Sequence, residues 1–112
     1  MSVEKNKRIL GMLGFAMRAG KVLIGTDIVC RAVARRDLGA VKLVIIASGA
    51  SDATRKKLSS KCEFYGIQTV EIEMTTDELG SLLGKSYSPA CVGITDEGFA
   101  VEIVKASKTE AN

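Results

Sequence analysis

Hydrophobic residues along the chain alternate between a helical spacing and an extended one. From about Val3 to Ala19 they return every three or four positions, which predicts an amphipathic first helix that ends at Gly20. Residues 41–47 instead contain an uninterrupted apolar run that starts at Leu43, which is typical of a central strand buried on both faces. The two patterns together favour a sheet covered by helices.

The remaining segments continue this alternation. The first half contains a short strand at 21–24, a second helix at 26–36 with Thr26 as its N-cap, and a turn at 37–40. A third helix, capped by Asp52 or Ser51, runs to about Tyr65 and is followed by a strand at 67–73. The chain continues with a short helix from the capping box at Thr75 to Leu83, a strand at 90–95 and a last helix from Asp96 to about Lys105. Residues 106–112 have no apolar period and are expected to form a frayed tail. We therefore predict an α/β fold, a three-layer α/β/α sandwich with a mixed four-stranded sheet, formed by residues 1–105 as a single domain.

Length and composition fit one globular domain. A chain of 112 residues with 46% hydrophobic residues can bury about two thirds of its unfolded surface. The longest apolar run, Leu43 to Ala47, is far shorter than a membrane span, and the apolar start lacks a small-residue cleavage site. We expect a cytoplasmic protein with no membrane partner.

The residue types exclude much of enzyme chemistry. The chain has no histidine, and its three cysteines, Cys30, Cys62 and Cys91, are widely spaced in apolar contexts. Zinc sites and Ser-His or Cys-His nucleophiles therefore lack a necessary part. We expect buried structural cysteines, no metal, no cofactor and no catalytic residue.

Charge is distributed unevenly along the chain. The net charge is only +3, but most basic residues fall in the first 61 positions and most acidic ones after them. If the fold separates these halves, one face is basic and favours a polyanion; the alternative is a solvated surface without a partner. The same two interpretations apply to the outer face of the third helix, with Arg55, Lys56, Lys57 and Lys61.

The start of the second helix is the first candidate site. Gly25 allows a tight turn, and the free N–H groups of the first helical turn then lie beside Lys21 and Arg31. Helix N-termini attract phosphate because their donors are unsatisfied and their dipole end is positive. The alternative is that Gly25 and Thr26 only begin a helix.

The loop from Lys85 to Ala90 is the second candidate. It presents Lys85, Ser86, Tyr87 and Ser88 ahead of the only proline, Pro89. Tyr87 can stack on an unpaired base. The alternative is an ordinary polar turn.

Several segments resemble the ribosomal protein family that recognises kink-turn RNA, which includes the archaeal and eukaryotic large-subunit proteins of the seven-A and thirty types and small bacterial homologues. The segments are Gly-Thr-Asp-Ile-Val-Cys-Arg-Ala-Val from Gly25, Val-Lys-Leu-Val-Ile-Ile-Ala from Val41, Cys-Glu-Phe-Tyr-Gly-Ile from Cys62 and Asp-Glu-Leu-Gly-Ser-Leu-Leu-Gly-Lys from Asp77. The likeness spans about Ile9 to Val104. The segment Thr95 to Ala100 is most similar to the bacterial branch.

In that family a Gly-Thr-Asn-Glu-x-x-Lys motif at the second helix grips the sheared G·A pairs and the backbone of a kinked RNA. This chain has Gly25 and Thr26 of the motif, with Asp27 where Asn is usual, Ile28 where Glu is usual and Arg31 where Lys is usual. Asp27 cannot donate as Asn does, and Ile28 cannot accept from a guanine edge. The resemblance thus implies phosphate contact through Arg31 with a changed base readout.

The family's second RNA loop, apolar-Glu-Val-Gly-Ala-Ala, corresponds to Lys85 to Ala90, which is polar and basic here. The resemblance implies a non-enzymatic protein, monomeric when free, that binds structured RNA, either kink-turn-like or ribosomal, with the ribosome as a candidate partner. Its implied RNA-binding residues are Lys21, Gly25, Thr26, Asp27, Ile28, Arg31, Lys42, Lys85, Ser86, Tyr87 and Ser88.

Two alternatives remain open. A nucleotide or small-anion binder would use the same helix start but needs a deep pocket. A protein-interaction module that has lost RNA binding would expose an apolar patch that includes Ile28.

Overall fold

Helices and strands alternate through the structure, as expected. It is a computed structural model that describes residues 2–35 and 41–109, and the expected turn at 37–40 lies outside these residues, as does Arg36. Within the described ranges the elements are α1 (Ser2–Arg18), β1 (Val22–Ile24), α2 (Thr26–Ala34), β2 (Leu43–Ala47), α3 (Asp52–Tyr65), β3 (Gln68–Ile72), α4 (Thr76–Leu82), β4 (Cys91–Ile94) and α5 (Glu97–Thr109).

The four strands form one mixed sheet in the order β1-β4-β2-β3. β2 runs parallel to β3, with Ala47 opposite Ile72, whereas β4 is antiparallel to both of its neighbours, β1 and β2. The carboxyl ends of β1, β2 and β3 therefore meet the amino end of β4 at one end of the sheet. The predicted mixed four-stranded sheet is confirmed.

Strand side chains alternate between two hydrophobic cores on opposite faces of the sheet. On β2, Leu43 and Ile45 belong to the first core, and Val44 and Ile46 to the second. In the first core, helices α1, α4 and α5 contribute Ile9, Leu13, Leu79 and Ile103. In the second core, helices α2 and α3 contribute Val29, Cys30, Leu58 and Cys62. Each fully buried aliphatic side chain contributes about 1.5–3 kcal/mol, so these two cores hold the three predicted layers together.

Local capping begins the helices near their expected positions. The Ser51 hydroxyl accepts a hydrogen bond from the Thr54 N–H (3.2 Å) at the start of α3. At α4 the predicted capping box is confirmed, since Glu78 N–H donates to Thr75 Oγ1 (3.0 Å) and Thr75 N–H donates to Glu78 Oε1 (2.8 Å). These bonds satisfy donors that have no partner inside the helix.

The last helix is longer than predicted. α5 continues to Thr109, so the expected frayed tail is wrong for residues 106–109, while residues 110–112 lie outside the described ranges. The reason is tertiary, because Ala106 follows Ile103 by three positions and is buried in the first core. A single alanine gives too weak a periodic signal to extend a helix in a sequence reading.

The three cysteines are buried free thiols in the second core, as expected. Burial raises the pKa of the Cys62 thiol from its ordinary 9.0 to about 11. Burial also raises the pKa of Cys91 to about 12, although a hydrogen bond with Thr26 opposes the shift. Neutral thiols buried in this way pack as small apolar groups and are poor nucleophiles.

We expect these thiols to react negligibly with a thiol-specific disulfide reagent at pH 8 in the folded protein, and all three to react once denaturant unfolds it. Fast reaction of the folded protein would contradict the burial.

Stability should also respond to alkaline pH. Because the folded pKa of Cys62 lies above the unfolded value of 9.0, the stabilisation by its neutral thiol is complete below pH 9 and lost as pH rises toward about 11. The denaturant midpoint is measured at pH 8 and at pH 10.5 under reducing conditions. Its decrease between these two pH values should be smaller for Cys62→Ala than for the parent chain, because the variant lacks this titrating group.

Candidate functional site

The two candidate turns lie side by side at one end of the sheet. Because β1 and β4 are antiparallel, Ile24 at the end of β1 pairs with Val92 near the start of β4. The Gly25 N–H then donates to the Cys91 carbonyl oxygen (3.2 Å). This bond places the first turn of α2, residues 25–28, beside the start of β4, into which the loop 85–90 leads. We call these two segments the α2 turn and the 85–90 loop.

Gly25, rather than Thr26, caps α2, and in this respect the prediction was wrong. Gly25 has φ 110° and ψ 149°, a conformation that favours glycine, and its carbonyl accepts from the Val29 N–H (3.0 Å). Thr26 is the first helical residue. No side chain of the described residues caps the helix, so the N–H donors of its first turn remain available to an external acceptor.

The outer face of α2 forms a shallow depression of about 210 Å³. Ile28, Arg31, Ala32 and Arg35 line it at the spacing of successive helical turns. Ile28 is 46% exposed, which is high for a large aliphatic side chain. Arg35 was missed in the sequence reading, although its position four residues after Arg31 is a signal that could have identified it.

The 85–90 loop is held against α4 and β2. The Lys85 N–H donates to the Gly80 carbonyl (2.9 Å), and the Ala47 N–H donates to the Ala90 carbonyl (2.9 Å). The Ser88 hydroxyl donates to the Asp77 carboxylate, and Pro89 is buried. The loop therefore has a defined backbone path, and Ser88 already has a partner within the chain.

A glycine in α4 makes this packing possible. A Cβ atom at Gly80 would lie 2.2 Å from the Tyr87 carbonyl oxygen and 3.2 Å from Pro89 Cδ. Glycine inside a helix costs about 0.5–1 kcal/mol relative to alanine, a cost offset here by the close approach of the loop. The Tyr87 backbone is thus fixed while its side chain is 53% exposed. Sequence reasoning missed Gly80, whose only signal was its position inside a helix.

Lys21 and Lys42 lie at the opposite end of the sheet, so the sequence interpretation was wrong to place them beside the loops. The Thr95 N–H donates to the Lys21 carbonyl (2.9 Å), and the Lys42 N–H donates to the Ile94 carbonyl (2.7 Å). Both bonds lie at the carboxyl end of β4, one strand length from the 85–90 loop. Both lysines precede a strand, whereas the α2 turn follows β1, and the antiparallel direction of β4 places the 85–90 loop at the same end as the α2 turn.

Charges near the two loops are mixed in sign. Arg31 and Lys85 are exposed cations, Asp27 is an exposed anion in the first turn of α2, and Asp77 is bonded to Ser88. A phosphate is favoured near the arginine and lysine, whereas Asp27 favours a hydrogen-bond donor. This end of the molecule thus offers several chemically distinct contacts.

The basic face of α3 is partly used within the chain. Arg55 bonds to the carboxylates of Asp52 (2.7 Å) and Glu71 (2.6 Å), and these bonds raise its pKa. Lys56 and Lys57 remain exposed. The structure therefore favours a structural role for Arg55, which joins α3 to β3.

No group of three or more His, Cys, Asp or Glu side chains in residues 2–35 and 41–109 could hold a metal ion. None of the helices described there has the length and apolarity needed to cross a membrane.

Sequence relatives are found in bacteria and archaea. The chain is 34% identical over 93 residues to the RNA-binding protein YlxQ of Bacillus subtilis, covering 83% of this chain and 88% of that protein. It is 32% identical over 83 residues to large ribosomal subunit protein eL30 of Methanosarcina mazei, covering 74% of each.

Solved structures share the fold. A protein of unknown function from Bacillus halodurans C superposes with a TM-score of 0.79 at 34% identity, covering 90% of this chain and 97% of that one. The 15.5kD RNA binding protein of Giardia lamblia superposes with a TM-score of 0.75, covering 96% and 89%. At 23% identity the Giardia protein supports the fold alone.

The family model extends across most of the domain. The family described as ribosomal protein L7Ae/L30e/S12e/Gadd45 matches residues 7–104, which include both candidate loops and every strand. The resemblance drawn from the sequence motifs is confirmed. The chain belongs to the ribosomal protein L7Ae/L30e/S12e/Gadd45 family.

Proposed function

We propose that the protein binds structured RNA, without catalysis, through the α2 turn and the 85–90 loop. The observation that carries this proposal is the Gly25 to Cys91 hydrogen bond, which places the α2 turn beside the residue that directly follows the 85–90 loop. The printed names of the relatives from Bacillus subtilis and Methanosarcina mazei support RNA as the ligand and the ribosome as a candidate partner. The family is one of ribosomal-type proteins rather than enzymes.

We assign the phosphate contacts to the outer face of α2. Arg31 and Arg35 are one helical turn apart, about 6 Å along the axis, so they can contact two phosphates of one strand. The uncapped N–H groups of the first turn add donors for an anion. Arg35 thereby joins the interface that the sequence motif suggested.

We assign the contacts that read the bases to Asp27 and Ile28. A carboxylate at Asp27 accepts hydrogen bonds from base amino groups, such as that of cytosine. Ile28 offers an apolar contact, since almost half of its side-chain surface is exposed. We therefore propose that kink-turn RNA is bound with less selectivity than a motif with Asn and Glu would give.

Tyr87 is the proposed stacking residue. Its backbone is fixed by the close contact with Gly80, and its ring is 53% exposed. A ring presented in this way loses little conformational entropy when a base stacks on it. An unpaired base in a loop or bulge is the ligand that this geometry favours.

The same proposal includes a cytoplasmic location and a monomeric free protein, consistent with a ribosomal-type role. A nucleotide binder is less well supported, because the α2 depression of about 210 Å³ is smaller than usual small-molecule pockets. Loss of RNA binding in favour of a protein partner would leave Ile28 as the main contact instead of Arg31.

Arg31→Ala should weaken binding to a kink-turn RNA and reduce the magnitude of its salt slope by about 0.7–0.9, because one phosphate contact is lost. Lys42→Ala is the matched control, since it removes an exposed cation from the other end of the sheet and should leave both quantities unchanged. Filter binding or fluorescence anisotropy at several salt concentrations measures both. An unchanged slope for Arg31→Ala would remove Arg31 from the interface and count against the proposed surface.

Tyr87→Ala should weaken binding to RNA with unpaired loop bases by about 5- to 150-fold, the equivalent of about 1–3 kcal/mol of stacking. Tyr87→Phe keeps the ring and should bind nearly as well as the parent chain. Affinities for a hairpin and for a fully paired duplex measure the difference. Equal losses on both RNAs would exclude base stacking as the role of Tyr87.

Gly80→Ala should displace the 85–90 loop, because the new Cβ atom cannot fit 2.2 Å from the Tyr87 carbonyl oxygen. Overpacking of this kind costs about 1–3 kcal/mol, and RNA affinity should fall with the displaced loop. Gly11→Ala is the control, since no described atom lies within 4 Å of its Cβ position, and it should raise the unfolding temperature. Equal stability changes for the two variants would show that Gly80 does not constrain the loop.

A further inference from the structure

A groove between α1 and α5 lies in the other helical layer from the α2 turn. It encloses about 410 Å³ and is open to solvent. Its lining consists of Arg8, Gly11, Met12, Phe15, Glu102, Lys105 and Ala106. None of these residues belongs to the proposed RNA surface, so the groove is an independent feature of the fold.

Gly11 forms part of the groove and is not explained by packing within the described chain. It lies in the interior of α1, where glycine destabilises a helix relative to alanine. At Gly80 and Gly49 an added Cβ would meet backbone atoms within 3 Å, but at Gly11 no described atom lies within 4 Å. An absent side chain at this position leaves room for another backbone to approach α1 closely.

Apolar side chains surround that opening. Phe15 follows Gly11 by one helical turn and is 53% exposed, and Met12 is partly buried beside them. Ala106, from α5, forms the opposite wall. A small residue flanked by an exposed aromatic ring and a flexible thioether is suited to the apolar face of a docked helix.

The rim of the groove is predominantly basic. Arg8 and Lys105 line it, and the Arg18 guanidinium lies 4.9 Å from the centre of the Phe15 ring. The acidic lining residue, Glu102, lies 3.8 Å from Lys105 and is partly neutralised by it. An apolar centre with a basic rim is complementary to a ligand with an apolar stripe and acidic flanks.

We propose that this groove binds an amphipathic helix of a partner protein, with aliphatic side chains over Gly11 and Phe15 and acidic side chains beside Arg8, Arg18 and Lys105. A second copy of the chain fits less well, because a two-fold interface would bring the same basic rim to both sides. RNA also fits less well, since the centre of the groove is apolar. The protein would then hold an RNA and a protein partner at the same time, on different layers.

The test uses two synthetic 18-residue helical peptides that share one leucine stripe, at positions i, i+3, i+4 and i+7. One peptide carries glutamate on its flanks, and the other carries lysine. Titration of each into the ¹⁵N-labelled protein, followed by NMR, should give saturable shifts in α1 and α5 with the glutamate peptide, and at least tenfold weaker binding of the lysine peptide.

Variants identify the site. Gly11→Leu fills the centre of the groove from an unstrained position and should weaken the glutamate peptide at least tenfold while preserving the folded spectrum and RNA affinity. Phe15→Ala should weaken it at least fivefold. Phe64→Ala is the matched control, because Phe64 is an 80% exposed aromatic residue on α3, and it should leave peptide binding unchanged.

Four results would each overturn the proposal. They are equal affinity for the two peptides, peptide shifts confined to the α2 turn or the 85–90 loop, unchanged binding by Gly11→Leu, and RNA-induced shifts in α1 and α5 that compete with the peptide. Concentration-dependent dimerisation through α1 and α5, seen by sedimentation, would instead assign the groove to a second copy. The RNA-binding result for Arg31→Ala tests only the proposed function and leaves this inference intact.

Discussion

The antiparallel pairing of β4 with β1 is the constraint on which the candidate surface depends. It aligns Ile24 with Val92, which places the Gly25 N–H within hydrogen-bonding distance of the Cys91 carbonyl. Two loops separated by almost sixty residues in the sequence thereby become neighbours. A parallel arrangement of the same two strands would put them at opposite ends of the sheet.

The backbone of the 85–90 loop is fixed, whereas the Tyr87 side chain that it carries is exposed. Gly80, the Ser88 to Asp77 bond and buried Pro89 fix the 85–90 loop on α4, while the Tyr87 ring remains half exposed. Because the loop loses its conformational entropy on folding, less entropy is lost when a ligand binds, and this favours affinity for the ligand.

Local sequence signals were enough to predict most of the fold. The apolar run of β2 and the capping box at Thr75 act over a few residues, so periodicity and capping chemistry identify them directly. Features that depend on distant contacts were missed. The cap of α2 is set by the bond from Gly25 to β4, and the end of α5 by the burial of Ala106.

The candidate site was predicted in part for the same reason. The motif residues Gly25 to Arg31 and the 85–90 loop could be recognised from the resemblance, but the direction and position of β4 could not be read from periodicity. Lys21 and Lys42 were assigned to the wrong end of the sheet, because each precedes a strand whereas the α2 turn follows β1. Gly80 required knowledge of which loop lies against α4. The roles of all these residues in RNA binding stay predictions.

The strand order has a consequence for how the protein forms during synthesis. β4 is the last of the four described strands to be synthesised, yet it lies between β1 and β2 and supplies the only neighbour of β1 in the described sheet. Until it is inserted, the first strand has no hydrogen-bonding partner there, and the pairing spans long sequence separations that slow folding. The proposed ligand surface therefore cannot assemble until β4, residues 91–94, has been synthesised.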